Sequence, residues 1–147
     1  MALPKKSHLE FRPGFWEATR CSYWDYYIDG RRVADIFELG DVISPFGWLD
    51  SETELSFAEM LLLKRESSFR SNRIPLFVCP LCADFGCGVF TCEVLRVGEQ
   101  IEWRNFGMEY DYHDSLIQEN DACRYAWFRF DVADYWRAFN RFLVGHR

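Results

Sequence analysis

The sequence predicts an α+β fold built on an antiparallel β-sheet, and three observations indicate it. Aromatic and aliphatic residues alternate with polar ones along several segments of the 147-residue chain, which is typical of strands buried on one face. The Asp29-Gly30 pair separates two such segments, and this dipeptide is typical of a hairpin turn because it tolerates positive φ. Near the C-terminus the apolar residues recur at helical spacing instead. No Pro/Gly/Ser-rich linker divides the chain, so we expect a single globular domain over residues 1–147.

The first third of the chain is expected to form a hairpin followed by a helix. The hairpin strands are residues 22–28 and 31–37, and residues 41–48 contain a proline and a glycine that indicate a loop. A helix is expected over residues 52–66, because Ser51 is a good cap and acidic residues follow it in the first turn, where they favour the helix dipole.

The second half of the chain is expected to complete the sheet and to end in a helix. Short apolar or alternating segments predict strands over residues 75–79, 88–97, 100–106 and 124–130. Asp131 is expected to cap an amphipathic C-terminal helix. We expect its apolar face to pack across the sheet, with Arg137 and Arg141 outside. That face consists of Val132, Tyr135, Trp136, Phe139, Phe142 and Leu143.

The net charge of −6 and the sequence pI of about 5.1 argue against two classes of partner. Nucleic acid and anionic membrane surfaces repel an acidic protein, so neither is expected as a partner. The longest apolar run, residues 74–83, is shorter than the roughly 18–20 residues of a membrane-spanning helix. The charge is also localised, because residues 99–123 hold seven acidic residues and one basic residue.

Tyrosines lie among the carboxylates of residues 109–121. Such a mixture is typical of a surface for a basic protein, because the charges speed encounter and the rings supply contact area. The sequence therefore predicts a partner-binding surface, although a solvated loop explains the same charge run equally well. The residues of this surface are Glu109, Tyr110, Asp111, Tyr112, Asp114, Glu119 and Asp121.

The acidic surface, the small size of the chain and the lack of a catalytic motif together favour an immunity protein that neutralises a bacterial toxin by direct binding. Nuclease toxins present basic clefts for phosphate, and carboxylates in such a cleft mimic the nucleic-acid backbone. The expected partner is a basic cognate toxin domain, and the protein is not expected to be an enzyme. Six cysteines with no visible secretory signal favour reduced thiols, so a cytoplasmic location is expected.

The sharpest local pattern is the spacing C-x2-C-x4-C-x4-C, formed by Cys79, Cys82, Cys87 and Cys92. Thiolates bind zinc, and a C-x2-C turn presents two of them together. The spacing resembles the retroviral-type zinc knuckle, although Cys87 stands where the knuckle has histidine and the segment lacks the basic flanks that hold RNA. No cofactor is expected on the main interpretation, and a zinc-stabilised binding module with these four ligands is the alternative.

Two other interpretations of the cysteines stay open. Cys92 falls on the apolar side of a predicted strand, where a free cysteine is an ordinary core residue. A redox-active C-x2-C pair would have to open a helix, which Asp84, Gly86 and Gly88 oppose.

The run from Cys79 to Gly88 has the pattern CPxCxDxGCG and is followed by Trp103 and Phe106-Gly107. This combination resembles a group of uncharacterised bacterial proteins over about residues 75–108. The resemblance implies no function. The position of Cys92 is not a fixed cysteine in that group, which implies a structural role for Cys92 rather than a metal site.

A metal-dependent enzyme is the third possibility. In an extended segment, Glu109, Asp111 and His113 would lie on one face and the intervening tyrosines on the other. Two carboxylates and an imidazole are suitable ligands for a divalent ion. A solvated acidic loop is the simpler explanation of the same residues.

Overall fold

The computed structural model describes residues 3–69, 71–110 and 117–144, which form the α+β arrangement that the sequence predicts. The strands are β1 (Lys6–Ser7), β2 (Leu9–Trp16), β3 (Cys21–Ile28), β4 (Arg31–Arg32), β5 (Ile74–Phe77), β6 (Val89–Val97), β7 (Gln100–Glu109) and β8 (Trp127–Asp131). The α-helices are α1 (Val33–Ile36), α2 (Ser51–Leu61), α3 (Asp121–Tyr125), α4 (Val132–Ala138) and α5 (Asn140–Val144). No helix in the described part of the chain has both the length and the apolar character needed to cross a membrane.

The strands form two sheets. The larger sheet has the order β1-β8-β7-β6-β5 and is antiparallel except for the parallel pair β1 and β8. The smaller sheet is antiparallel and has the order β2-β3-β4. The predicted antiparallel sheet is therefore confirmed, as a five-stranded sheet accompanied by a three-stranded one.

The N-terminal hairpin turns where the sequence predicts, but its second strand is short. Asp29 and Gly30 both have positive φ. Strand β4 ends at Arg32, whose Nε donates to Asp25 Oδ2 at 2.6 Å across the hairpin. The chain then enters α1, because this turn of helix buries the apolar side chain of Val33. The long partner of β3 is instead β2, which the sequence pattern did not single out.

Helix α2 follows the predicted loop, with two differences at its ends. Its cap is Asp50 rather than Ser51, and the Asp50 carboxylate accepts the Thr53 N–H at 3.1 Å. The helix ends at Leu61 rather than at residue 66, because Leu63 has a φ of 60°, which a continuing right-handed helix does not allow.

Residues 124–130 do not form one strand. Asn120 accepts the Cys123 N–H at 2.9 Å and starts α3, so the residues up to Tyr125 are helical and β8 follows them. The C-terminal helix begins after Asp131 as predicted, but the Asp131 side chain makes no capping hydrogen bond. The helix divides into α4 and α5 at Phe139, where a tight turn brings the Phe139 N–H to the Trp136 carbonyl at 3.1 Å.

An aromatic core joins the two sheets to the helices. The ring of Tyr26 in β3 lies with its centroid 5.2 Å from that of Phe77 in β5 and 5.9 Å from that of Trp103 in β7. Trp103 Nε1 donates to the Tyr135 hydroxyl at 3.1 Å, and that hydroxyl donates to the Leu61 carbonyl at 2.6 Å. Helix α4 therefore packs on the larger sheet as predicted and also fixes the end of α2, with its buried polar atoms paired.

Candidate metal centre

The cysteine segment starts directly after β5, at a turn held by backbone hydrogen bonds. The Val78 N–H donates to the Ile43 carbonyl at 2.7 Å, and this bond holds the residue before Cys79 in place. The Ala83 N–H then donates to the Cys79 carbonyl at 2.9 Å and closes the turn. Ala83 has a φ of 56°, an uncommon conformation for a residue other than glycine. The turn brings Cys79 and Cys82 together on the protein surface.

Asp84 connects this turn to the third cysteine. Its N–H donates to Cys82 Sγ at 3.4 Å, and its Oδ1 accepts the Gly86 N–H at 2.9 Å. The Cys87 N–H donates to the Asp84 carbonyl at 3.1 Å, within a short 3-10 helix over Phe85–Cys87. These local bonds fold the chain back so that Cys87 joins the first two cysteines.

The sulfur atoms of Cys79, Cys82 and Cys87 all lie within 4.8 Å of one another. The Sγ atoms of Cys82 and Cys87 are 3.7 Å apart. A tetrahedral zinc ion with Zn–S bonds of about 2.3 Å holds its sulfur ligands about 3.8 Å apart. Because Cys82 and Cys87 are exposed and Cys79 is partly so, an ion can reach this site from solvent.

The surroundings of the three thiols favour one thiolate and disfavour more than one. Burial raises the pKa of Cys79, but the N–H groups of Leu81 and Cys82 and the neighbouring thiols donate to its sulfur, so its pKa lies below the ordinary value. The hydrogen bond with Cys82, then burial and charge repulsion, raise the pKa of Cys87 to about 11. A bound cation would remove the repulsion between the thiolates, so the cluster is suited to a metal ion.

The structure does not place Cys92 with the other three cysteines, which corrects the four-thiolate prediction. Cys92 lies in β6 opposite Ile74 and is 0% exposed. At about 3.3 Å per strand residue, it lies about 10 Å along the strand from Val89. Burial raises the pKa of its thiol, so Cys92 behaves as a core residue. Among the residues that the structure describes, no further Cys, His, Asp or Glu joins the three thiols.

The predicted place of Glu109 on a partner-binding surface is also corrected, because Glu109 lies inside the protein. Its Oε2 lies 3.2 Å from Arg73 Nε and accepts the Thr91 hydroxyl at 2.5 Å. Its Oε1 accepts the Ser71 hydroxyl at 2.9 Å. Arg73 also donates to the carbonyl of Asn105, beside a bulge between β6 and β7. Glu109 thus neutralises the charge of Arg73, and Arg73 in turn supplies a hydrogen bond to the backbone beside the bulge.

The other residues of the predicted acidic surface have different surroundings. Tyr110 packs over Gly88, where an added Cβ would lie 2.9 Å from Tyr110 Cε1, so this ring borders the cysteine segment. Glu119 and Asp121 are exposed, and Asp121 makes a loose ion pair with Arg124 at 3.9 Å. The remaining members of the predicted surface, Asp111, Tyr112 and Asp114, lie outside the described residues.

The carboxylate and imidazole site of the enzyme alternative is not assembled in the described part of the chain. Glu109 is occupied by Arg73, Ser71 and Thr91. Asp111 and His113 lie outside the described residues. The sequence interpretation placed Glu109 on the surface because charge counting does not reveal a buried arginine 36 residues earlier.

Sequence reasoning also missed Asp84 as the residue that positions Cys82 and Cys87. Its place in the CPxCxDxGCG pattern was the available signal, but the hydrogen bonds that give it this role depend on the turn conformation. Comparison with protein-family models, curated proteins and solved structures finds no match for this chain. The resemblance to the uncharacterised bacterial group therefore stays a prediction, and the function has to be inferred from the site.

Proposed function

We propose that this protein is a metal-binding module in which Cys79, Cys82 and Cys87 hold one zinc ion. The observation that carries the proposal is the convergence of three thiols, two of them 3.7 Å apart, at the spacing of a tetrahedral sulfur site. The backbone N–H groups aimed at the sulfur of Cys79 support it further, because such donors stabilise the thiolate that a metal requires.

Three protein ligands leave one tetrahedral position for water or for a group from a partner molecule. Three thiolates and a zinc dication carry a net charge of −1. Such an ion would hold together the turn after β5 and the 3-10 helix, which individual hydrogen bonds of Asp84 otherwise join. The proposed role is therefore a zinc-stabilised binding module rather than a closed structural site.

Zinc content tests this proposal. Protein purified without added metal is expected to contain about one zinc ion per chain, measured by plasma mass spectrometry. The Cys82→Ser variant is expected to lose the ion, because it removes one of the three proposed thiolate ligands. Cobalt(II) added to the zinc-free protein is expected to give the visible absorption of a tetrahedral thiolate site.

Two matched variants separate the metal ligands from the other cysteines. Cys21→Ser and Cys92→Ala remove a thiol outside the cluster and are expected to retain the zinc. Circular dichroism of each variant reports whether it is folded. Zinc-free wild-type protein with no tetrahedral cobalt spectrum, or loss of zinc in folded Cys92→Ala, would contradict the proposed ligand set.

We also propose, as a second candidate, a cytoplasmic immunity protein that binds a basic toxin domain. Exposed acidic and aromatic residues in the described part of the chain support this candidate. Asp121 and Tyr125 lie one helical turn apart on α3, and Tyr125 is 80% exposed. Six free cysteines in the chain fit a reducing compartment such as the cytoplasm.

Co-expression with the product of the neighbouring gene tests this second candidate. A stable complex is expected, and its association rate should fall with salt because steering by carboxylates is screened. Asp121→Asn should slow association, whereas Cys21→Ser should not. Binding without any salt dependence would exclude the acidic surface as the binding site.

A further inference from the structure

A groove runs beside the cysteine turn, and one of the three thiols, that of Cys82, lines it. It has a volume of about 460 Å³ and lies between α2 and the cysteine turn. Cys82 forms one wall, so a molecule in the groove would lie against the metal site. The groove is lined by Leu49, Asp50, Thr53, Ser56, Phe57, Met60, Ser68, Cys82, Ala83 and Asp84.

The groove is apolar at its base and acidic at its rim. Phe57 and Met60 are buried side chains of α2 that form part of the base. Asp50 and Asp84 lie at the rim, and none of the described lining residues is basic. The hydroxyl and the N–H of Thr53 donate to the Asp50 carboxylate and lower its pKa, which keeps it charged. The thiolates of the proposed zinc site add a further negative charge.

We infer that this groove binds a lysine or arginine side chain of a protein partner. The long aliphatic stem of such a side chain fits an apolar base, and its cationic end pairs with carboxylates at a polar rim. Exposed Leu81, 76% accessible at the tip of the adjoining turn, offers an apolar contact for the neighbouring residues of the partner. The inference rests in part on the proposed zinc site, because the bound ion and its thiolates set the charge beside Cys82.

Blocked tripeptides with a central lysine, arginine, norleucine or glutamate test this inference on the zinc-loaded protein. Norleucine is the control because it keeps the aliphatic chain and lacks the charge. In NMR titrations the lysine and arginine peptides are expected to shift the amide signals of Asp50, Thr53 and Asp84. They should bind about threefold more tightly than the norleucine peptide, the size of an exposed ion pair.

Variants locate the binding site. Asp50→Asn keeps an oxygen acceptor for the Thr53 N–H and is expected to remove about that threefold preference. Glu119→Gln makes the same change of charge at an exposed residue outside the groove and is expected to keep the preference. Equal affinity for the lysine and norleucine peptides, or signal shifts away from the groove, would overturn the inference.

Zinc content measured on the same samples separates the two proposals. Loaded protein without a lysine preference overturns the groove inference alone. A lysine preference in wild-type protein that holds no zinc supports the groove and contradicts the metal site.

Discussion

The cysteine segment, residues 79–88, and the acidic stretch, residues 109–121, each concentrate one chemical group, and their described residues are arranged in opposite ways. Three of the four predicted cysteine ligands converge, and local backbone bonds orient them. The acidic stretch is divided instead: Glu109 turns into the protein toward Arg73, while Glu119 and Asp121 face solvent. Like groups come together where short-range turns hold them, and they separate where a distant partner offers a better environment.

The largest effect expected from this difference is at Glu109. Glu109→Ala leaves Arg73 buried without its carboxylate and should lower the free energy of unfolding by about 3–5 kcal/mol. Urea denaturation measures this change in the free energy of unfolding. Glu119→Ala, at an exposed position of the same stretch, is the control and should change stability by less than about 0.5 kcal/mol. A loss below about 1 kcal/mol at Glu109, as for an exposed pair, would show that its interior position has been assigned wrongly.

The next effect concerns how firmly the end of the acidic stretch is attached to the sheet. The Met108 N–H donates to the Gln118 carbonyl at 2.8 Å. A Cβ at Gly107 would lie 2.2 Å from Ile117 Cγ2 and 3.2 Å from the Gln118 carbonyl oxygen. Gly107→Ala is therefore expected to displace this segment and to cost about 1–3 kcal/mol of stability.

Gly40→Ala is the matched control for Gly107→Ala. A Cβ at Gly40 meets nothing within 4 Å, and Gly40 does not have positive φ. The substitution should be neutral or stabilise by up to about 1 kcal/mol, because alanine restricts the unfolded chain. If thermal unfolding shows equal changes for both variants, the segment around Gln118 is not packed against β7.

The same comparison explains how far the sequence could predict the site. Cys79, Cys82 and Cys87 could be predicted because turns of a few residues determine their arrangement. Cys92 could not be assigned by spacing alone, since the next turn leads into a strand whose alternation directs its side chain to the core. The position of Glu109 depends on Arg73, which only the tertiary fold brings near. For the same reason the strand predicted over 124–130 is partly helical, because the Asn120 side chain that caps α3 also donates to the Phe37 carbonyl.

The affinity of the cysteine segment for zinc should fall as the pH falls. The pKa of Cys87 is about 11 without a metal, so at neutral pH zinc binding must release at least one proton. As the pH falls, protons compete more strongly, and the affinity should drop at least about tenfold per pH unit, or about 1.4 kcal/mol. Competition with a chromophoric chelator between pH 8 and 6 measures it. A constant affinity over that range would contradict thiol ligation.

The smallest effect is expected at the exposed end of the acidic stretch. Asp121 is 91% exposed at its side chain and lies in the first turn of α3, where it faces Arg124 at 3.9 Å. Asp121→Asn removes this weak pair and the favourable interaction with the helix N-terminus, so stability should fall by about 0.3–0.5 kcal/mol. Because both contributions are screened, the difference from wild type should disappear in about 1 M salt. A larger loss that persists in salt would mean that Asp121 is built into the fold as Glu109 is, and the contrast between the two ends of the stretch would no longer hold.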